Sequence, residues 1–297
     1  MPEACKTARV TPSDHPASTV ALLEAAVAQA SSAGVDDDAY WEAVYALHAE
    51  PMDAVWPLVA PFASDARPSL RELAVDVLRC VARREPSFVE PTMTLLTSRL
   101  RVETAASVLE AILEALGELG QPDRVELALP FATHADERVR SAVLVAMAGA
   151  RSPDAIAAFI RASTDEADEV RDWATFELGS QLGDAEDPTR DDIPGVVEAL
   201  LARLDDAHDD TRCEAIVGLA RRRDRRVLPA LLRGIAEGAG PLELEAAAAL
   251  GAPELCEPLR AMLARGDEED VGFWEKNGIR EAIAACCGAR SVATPTV

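Results

Sequence analysis

The chain has 297 residues, with 52 Asp plus Glu against 29 Lys plus Arg, a formal charge of −23, 49% hydrophobic residues and only 4% aromatic ones. Half apolar and about a quarter charged, it excludes a disordered polymer and has the length for a large core or a long repeat array. So acidic a surface repels phosphate backbones and anionic lipid, which makes nucleic acid and membranes poor partners.

In chain order, residues 1–18 hold three prolines, no apolar period and no basic-then-apolar secretory run, and are expected to form a disordered leader. Residues 19–33, TVALLEAAVAQASSA, predict a capping helix. From residue 39 one pattern recurs: AYWEAVYALH (39–48), LRELAVDVLR (70–79), VLEAILEALG (108–117), VRSAVLVAMA (139–148), VRDWATFELG (170–179), TRCEAIVGLA (211–220), LELEAAAALG (242–251) and IREAIAACCG (279–288). Anchored on Ala43, Ala74, Ile112, Val143, Ala174, Ala215, Ala246 and Ile283, the successive spacings are 31, 38, 31, 31, 41, 31 and 37, so 31 is the period. The longer intervals predict insertions near 85–100, 184–194 and 266–276.

Each copy places apolar residues at i, i+4 and i+8, as Val170, Ala174 and Leu178 do, on one helix face. Between copies lies a second amphipathic stretch, such as PDRVELALPFAT (122–133), PDAIAAFIRAST (153–164) and RRVLPALLRGIA (225–236). Several open on Pro-Asp or Pro-Glu, where Pro suits the first turn and the acid complements the positive end of the helix dipole. One such helix pair cannot bury its apolar stripe alone, and stacking about eight of them buries a continuous core. Residues 289–297 are expected to be a frayed tail.

Asp65 and Arg71, Asp165 and Arg171, and Asp206 and Arg212 are each six apart, with a Pro inside a first helix at Pro229. The pattern resembles the HEAT repeat, and the short period resembles the bacterial subtype related to phycobilin-lyase repeats. The resemblance covers residues 39–288 and implies an all-α, right-handed α-solenoid, a single domain over 19–288. It also implies that the Asp and Arg residues form a ladder between neighbouring repeats, with Arg140 a further rung. His134 stands in the Asp place before Arg140, while Leu109 and Glu243 replace Arg, so the ladder is expected to be interrupted there.

Candidate chemistry is sparse. His15, His48, His134 and His208 show no metal-binding spacing, and the His-Glu pairs of iron-dependent HEAT hydroxylases do not occur. Glycine loops of nucleotide sites and the serine-hydrolase elbow are missing from the sequence, so neither a catalytic residue, a metal nor a cofactor is expected. The six cysteines at 5, 80, 213, 256, 286 and 287 are read as free thiols of a cytoplasmic protein, with Cys287 a small hydrophobe at a buried Leu position. The run RRRDRR (221–226) is expected to meet acids of its own chain.

Between 165 and 210 stand sixteen acids against three arginines. Its loop acids Asp184, Glu186, Asp187, Asp191 and Asp192 are free to engage a partner, as are Asp172, Thr175 and Phe176, which point away from the apolar face of their helix. In HEAT arrays the second helices line the concave surface, which makes these three contact candidates by resemblance. The expected function is a non-enzymatic protein–protein interaction scaffold for a protein or peptide, with a basic one favoured by the acidic loops. The alternative implied by the resemblance is a bilin-lyase-like subunit or chaperone acting on a tetrapyrrole-bearing protein.

Overall fold

The computed structural model describes residues 19–32, 38–182, 193–268 and 273–288. The expected leader, the tail, and Asp184, Glu186, Asp187, Asp191 and Asp192 lie outside the described residues. Sixteen α-helices and no strand occur among the described residues, and the chain falls into two compact units, Met1–Ala146 and Met147–Val297.

The first unit holds α1 (Thr19–Ser32), α2 (Asp38–Ala49), α3 (Met52–Val59), α4 (Pro68–Arg84), α5 (Val89–Leu100), α6 (Ala106–Glu118), α7 (Arg124–Ala128) and α8 (Glu137–Ala146). These make four pairs, with α1 serving as the first helix of the first. Its Leu23, Ala26 and Ala30 share a buried cluster with Tyr40, Val44 and Leu47 of α2. The second helices stack, α2 on α4, α4 on α6 and α6 on α8. Fully buried Leu70, Leu73, Ala74, Val77 and Leu78 of α4 show why: three apolar positions per two turns give a stripe broad enough to meet helices on two sides.

The second unit holds α9 (Pro153–Ala162), α10 (Asp168–Phe176), α11 (Val196–Leu201), α12 (Asp209–Arg221), α13 (Leu228–Glu237), α14 (Pro241–Leu250), α15 (Cys256–Glu268) and α16 (Phe273–Gly288). Here α10 stacks on α12, α12 on α14 and α14 on α16. Pro229 sits at the start of α13, where a 3-10 turn at Arg225–Val227 hands over to the α-helix, rather than inside it. Pro lacks an N–H and so belongs in a first turn, where that group has no partner to lose.

The segment 85–100 is no insertion. A 3-10 turn at Pro86–Phe88 leads into α5, which buries Met93, Leu96 and Leu100, so the extra spacing is lengthened helix, in α4 with seventeen residues and in α5 with twelve. In α16 the buried stripe is Ile279, Ala282 and Cys286, spaced i, i+3, i+7, which leaves Ile283 and Cys287 half-buried. Cys286 therefore takes the core place expected for Cys287. The free-thiol reading is corrected too: Cys287 forms a disulfide with Cys256 of α15, Cα–Cα 5.4 Å, while Cys80, Cys213 and Cys286 stand outside any disulfide.

One device recurs at the turns between paired helices. In the first unit Arg71 Nη1 donates to the carbonyl oxygens of Asp65 (2.9 Å) and Ala66 (3.1 Å), and Arg140 Nη1 to those of His134 (2.9 Å) and Ala135 (3.1 Å). In the second, Arg171 reaches Asp165 and Glu166 (3.0 and 3.1 Å), and Arg212 reaches Asp206 and Ala207 (2.6 and 3.1 Å). The first residue of each turn accepts, through its side chain, the N–H two residues on: Asp65 from Arg67, Asp165 from Ala167, Asp206 from His208. His134 does the same through Nδ1, accepting from Asp136 at 3.1 Å, which explains how it stands in for Asp. The six-residue spacing thus encodes a turn clamp made chiefly to main-chain oxygens.

Carboxylate rungs between repeats also exist. Arg71 binds Glu103 of the following turn with two 2.8 Å bonds, and Arg171 binds Asp206 with two 3.0 Å bonds. Glu103 occupies the Asp place before Leu109, so a Glu fills the rung in the repeat whose own Arg is lost. A second arginine joins each, Arg99 on Glu103 and Arg203 on Asp206. At the other break, Glu243 turns back to accept the Gly240 N–H at 2.6 Å and caps α14. The RRRDRR run meets its own acids as expected: Arg221 pairs with Glu245, Arg225 with Glu254 and Arg226 with Asp224.

At Gly117 and Gly179 the Leu-Gly ending of the repeat has a steric cause. A methyl added at Gly179 would lie 2.6 Å from the Glu214 carbonyl oxygen of α12, and one at Gly218 would lie 2.5 Å from Gly179 Cα. Gly179→Ala is expected to lower stability by about 1–3 kcal/mol through overpacking, whereas Gly288→Ala, with no neighbour within 4 Å, should leave the urea midpoint nearly unchanged. The rung at Glu103 sets an acid limit. Burial alone would raise its carboxyl, but bonds from Arg71, Arg99 and two backbone amides hold it at about 2. Being below its ordinary value near 4.5, it stabilises the fold above that pH and loses the contribution as pH falls toward 2. Glu103→Gln should cost about 3 kcal/mol at neutral pH and shrink the loss of stability between pH 4.5 and 2, read by urea unfolding across pH.

Candidate functional site

The sequence draws attention to α10, whose buried side is set by Val170 and Ala174 and continued by Leu178 in a π turn at Glu177–Gln181. Thr175 does not point to a partner. It is fully buried, and its hydroxyl donates to the Arg171 carbonyl oxygen at 2.7 Å, because position 175 adjoins the Ala174–Leu178 stripe and a Thr can satisfy its oxygen on the preceding turn. Asp172 and Phe176 do lie on a half-exposed face. Phe176 meets Trp173 edge to face, ring centroids 5.9 Å apart, and both rings are half-buried.

Asp172 faces the start of α12. His208 caps that helix, with Nδ1 3.4 Å from the Thr211 N–H and 3.1 Å from the Thr211 hydroxyl, and Asp210 lies in its first turn. One donor atom each of Asp172, His208 and Asp210 lie within 4.8 Å of one another. Burial raises the Asp172 carboxyl, reinforced by Asp210 and Glu169, against the lowering effects of His208 and a hydrogen bond from Thr211. Asp172 Oδ1 is shut off from solvent and accepts no hydrogen bond. On the same helix Glu214 is also raised by burial and by Asp172, although Ser180 donates to it at 2.5 Å. The Cys213 thiol is pushed up to about 11 by burial and by Glu243 and Asp210, which makes it a poor nucleophile.

The second helices of the first unit carry a comparable band. Glu72 of α4 is pushed up to about 7 by burial, opposed by a Ser107 hydrogen bond and reinforced by Asp76 and Glu110. Beside it runs a buried network: the Tyr40 hydroxyl donates to Asp76 at 2.7 Å, and Arg79 bonds Asp76 at 3.1 Å and Glu114 at 2.6 Å. Burial raises Asp76 despite Arg79. Glu110 is raised mainly by burial as well, while Arg138 of α8 reaches it at 3.0 Å.

Two of these features belong to no named motif, and only one of them leaves a signal in the sequence. The Asp76 and Arg79 pair was visible as an acid and a base set three apart within the apolar run LAVDVLRCVA, spacing that puts both on one face. The meeting of Asp172 with His208 and Asp210 was not, because those residues are one enlarged repeat apart and share no spacing rule.

Stacked helix pairs, clamped turns and glycine contacts between second helices define an α-helical repeat protein. Residues 93–179 match the family model for HEAT repeats. Protein YibA of Escherichia coli strain K12 is 28% identical over 151 residues, 50% of this chain and 51% of that protein, and the O157:H7 protein matches equally. The alignment thus spans about half the length of these curated relatives. The crystal structure of E. coli YibA superposes with a TM-score of 0.70 over 95% of this chain and 100% of that one, at 20% identity. An engineered protein follows with a TM-score of 0.55, covering 91% of this chain and 80% of that one, at 16% identity. These likenesses show the fold, an all-α helical repeat, as the clamp motif implied.

Proposed function

We propose that the protein is a non-catalytic interaction module whose second helices present carboxylates to a basic protein or peptide. The observation behind this reading is a set of acids, Glu72 buried and the others half-buried, held above their ordinary range by burial and mutual repulsion: Glu72 and Glu110 in the first unit, Asp172 and Glu214 in the second. Desolvated carboxylates gain from an incoming guanidinium or ammonium group, Glu110 less than the others because Arg138 already meets it, and their placement favours association through steering as well as contact. Phe176, with Trp173 beside it, supplies an aromatic face to the same end of α10. Rings so placed suit the stem or head of an arginine. Asp184, Glu186, Asp187, Asp191 and Asp192 add charge to the chain that follows α10 and complete the proposed contact set.

The reading includes a cytoplasmic location, in which the Cys256–Cys287 pair would be held as two thiols by glutathione and thioredoxin. No described helix is long and apolar enough to cross a membrane.

A short Arg/Lys-rich peptide, followed by fluorescence anisotropy against an Asp/Glu-rich control, tests the charge complementarity. Binding of the basic peptide should weaken at least tenfold between 50 and 300 mM salt, on the order expected for several screened charge contacts. It should strengthen as pH rises through about 7, where Glu72 ionises, and Glu72→Gln should flatten that rise. Phe176→Ala should weaken binding about tenfold. Salt-insensitive binding, or equal binding of the acidic control, would sink the proposal.

A further inference from the structure

We propose that Asp172, His208 and Asp210 form a binding site for one divalent transition-metal ion of the zinc class. The site requires no partner, and it shares only Asp172 with the acid set of the reading above. Two carboxylates and one imidazole make a mixed oxygen and nitrogen donor set, which suits zinc and its neighbours and is a poor match for magnesium, whose sites are built from oxygen and water. The three donor atoms already lie within 4.8 Å of one another, brought there by the packing of α10 on α12. Metal–ligand distances of about 2.0–2.2 Å place neighbouring donors roughly 3–3.5 Å apart, a closure that rotation about side-chain bonds supplies without moving either helix.

A second observation points to a ligand. Asp172 Oδ1 is sealed from solvent and receives no hydrogen bond, so this oxygen has given up water without gaining a donor. A cation is the partner it lacks. The support around the imidazole fits the same use. Thr211 is fully buried and its hydroxyl stands 3.1 Å from His208 Nδ1. In the tautomer that carries its proton on Nδ1, the ring exchanges the long 3.4 Å cap contact from the Thr211 N–H for a bond donated to that oxygen, which leaves the lone pair on Nε2 and holds the ring plane. This is the arrangement in which ligating histidines are found, one nitrogen on the metal and the other on a protein acceptor. The positive end of α12 opposes a cation weakly, and the two carboxylates outweigh it. Three protein donors would leave at least one coordination position for water or for a further side chain.

The experiment is isothermal titration of the full chain, stripped with a chelator, with zinc chloride, repeated with magnesium chloride as competitor. One zinc per chain should bind with an affinity that magnesium in tenfold excess leaves unchanged. His208→Asn keeps a side chain suited to the helix cap but removes the imidazole, and Asp210→Asn changes an exposed position. Each should weaken zinc binding at least tenfold, with the thermal midpoint in chelator unchanged for Asp210→Asn. On zinc addition the imidazole resonances of His208 should shift while those of His134 stay in place. An absent zinc isotherm, or an isotherm unchanged in both variants, would overturn the proposal, as would zinc binding that leaves the His208 resonances unmoved.

Discussion

Everything built on this scaffold depends on how an arginine in a second helix holds the turn that precedes it. A guanidinium nitrogen donating to two consecutive carbonyl oxygens satisfies acceptors that a tight helix–helix turn would otherwise bury or leave to water. Arg71, Arg140, Arg171 and Arg212 all do this at the same offset, so in each case the exit of the first helix is tied to the first turn of the second. The remaining nitrogens are then free to reach the next repeat, as Arg71 does toward Glu103 and Arg171 toward Asp206. A planar fork with five donors can serve both purposes at once, which a lysine could not. The interhelix angle within a pair and the spacing to the next pair are thereby coupled through one side chain.

That coupling fixes where the acids of the second helices stand. Adjacent second helices pack closely, most tightly at Gly117 in the first unit and at Gly179 with Gly218 in the second, and burial strips carboxylates on the second helices of part of their water. Glu72, Asp76, Asp172 and Glu214 all carry the result as raised proton affinity. Some are resolved internally, as Asp76 is by Tyr40 and Arg79. Asp172 keeps an oxygen with no donor. The overall negative charge of the chain and the desolvation of these particular acids are separate facts, and only the second distinguishes a binding surface from a merely soluble one.

Much of the architecture was legible in the residues. The 31-residue period, the apolar stripe of Val170, Ala174 and Leu178, and the six-residue Asp–Arg spacing identified helix pairs and their turns. The errors share a cause. Thr175 and Cys287 were each placed one position from where they lie, because a helix advances 100° per residue and a neighbouring residue can fall on either edge of a broad stripe. Glu103 was passed over as a rung because it is a Glu in an Asp place, although its carboxylate reaches the same arginine.

By itself, then, the sequence determined the period, the order of apolar and polar helix faces and the place of the turns, since all three are local and depend on spacings within a few helical turns. Only the tertiary structure decided which acid meets Arg71, that Cys256 and Cys287 are close enough to join, and that Asp172 converges with His208 and Asp210. These pairings depend on the sideways offset between successive helix pairs. Repeats lengthened by different amounts shift that offset, and no spacing rule along the chain records where two side chains will meet across it.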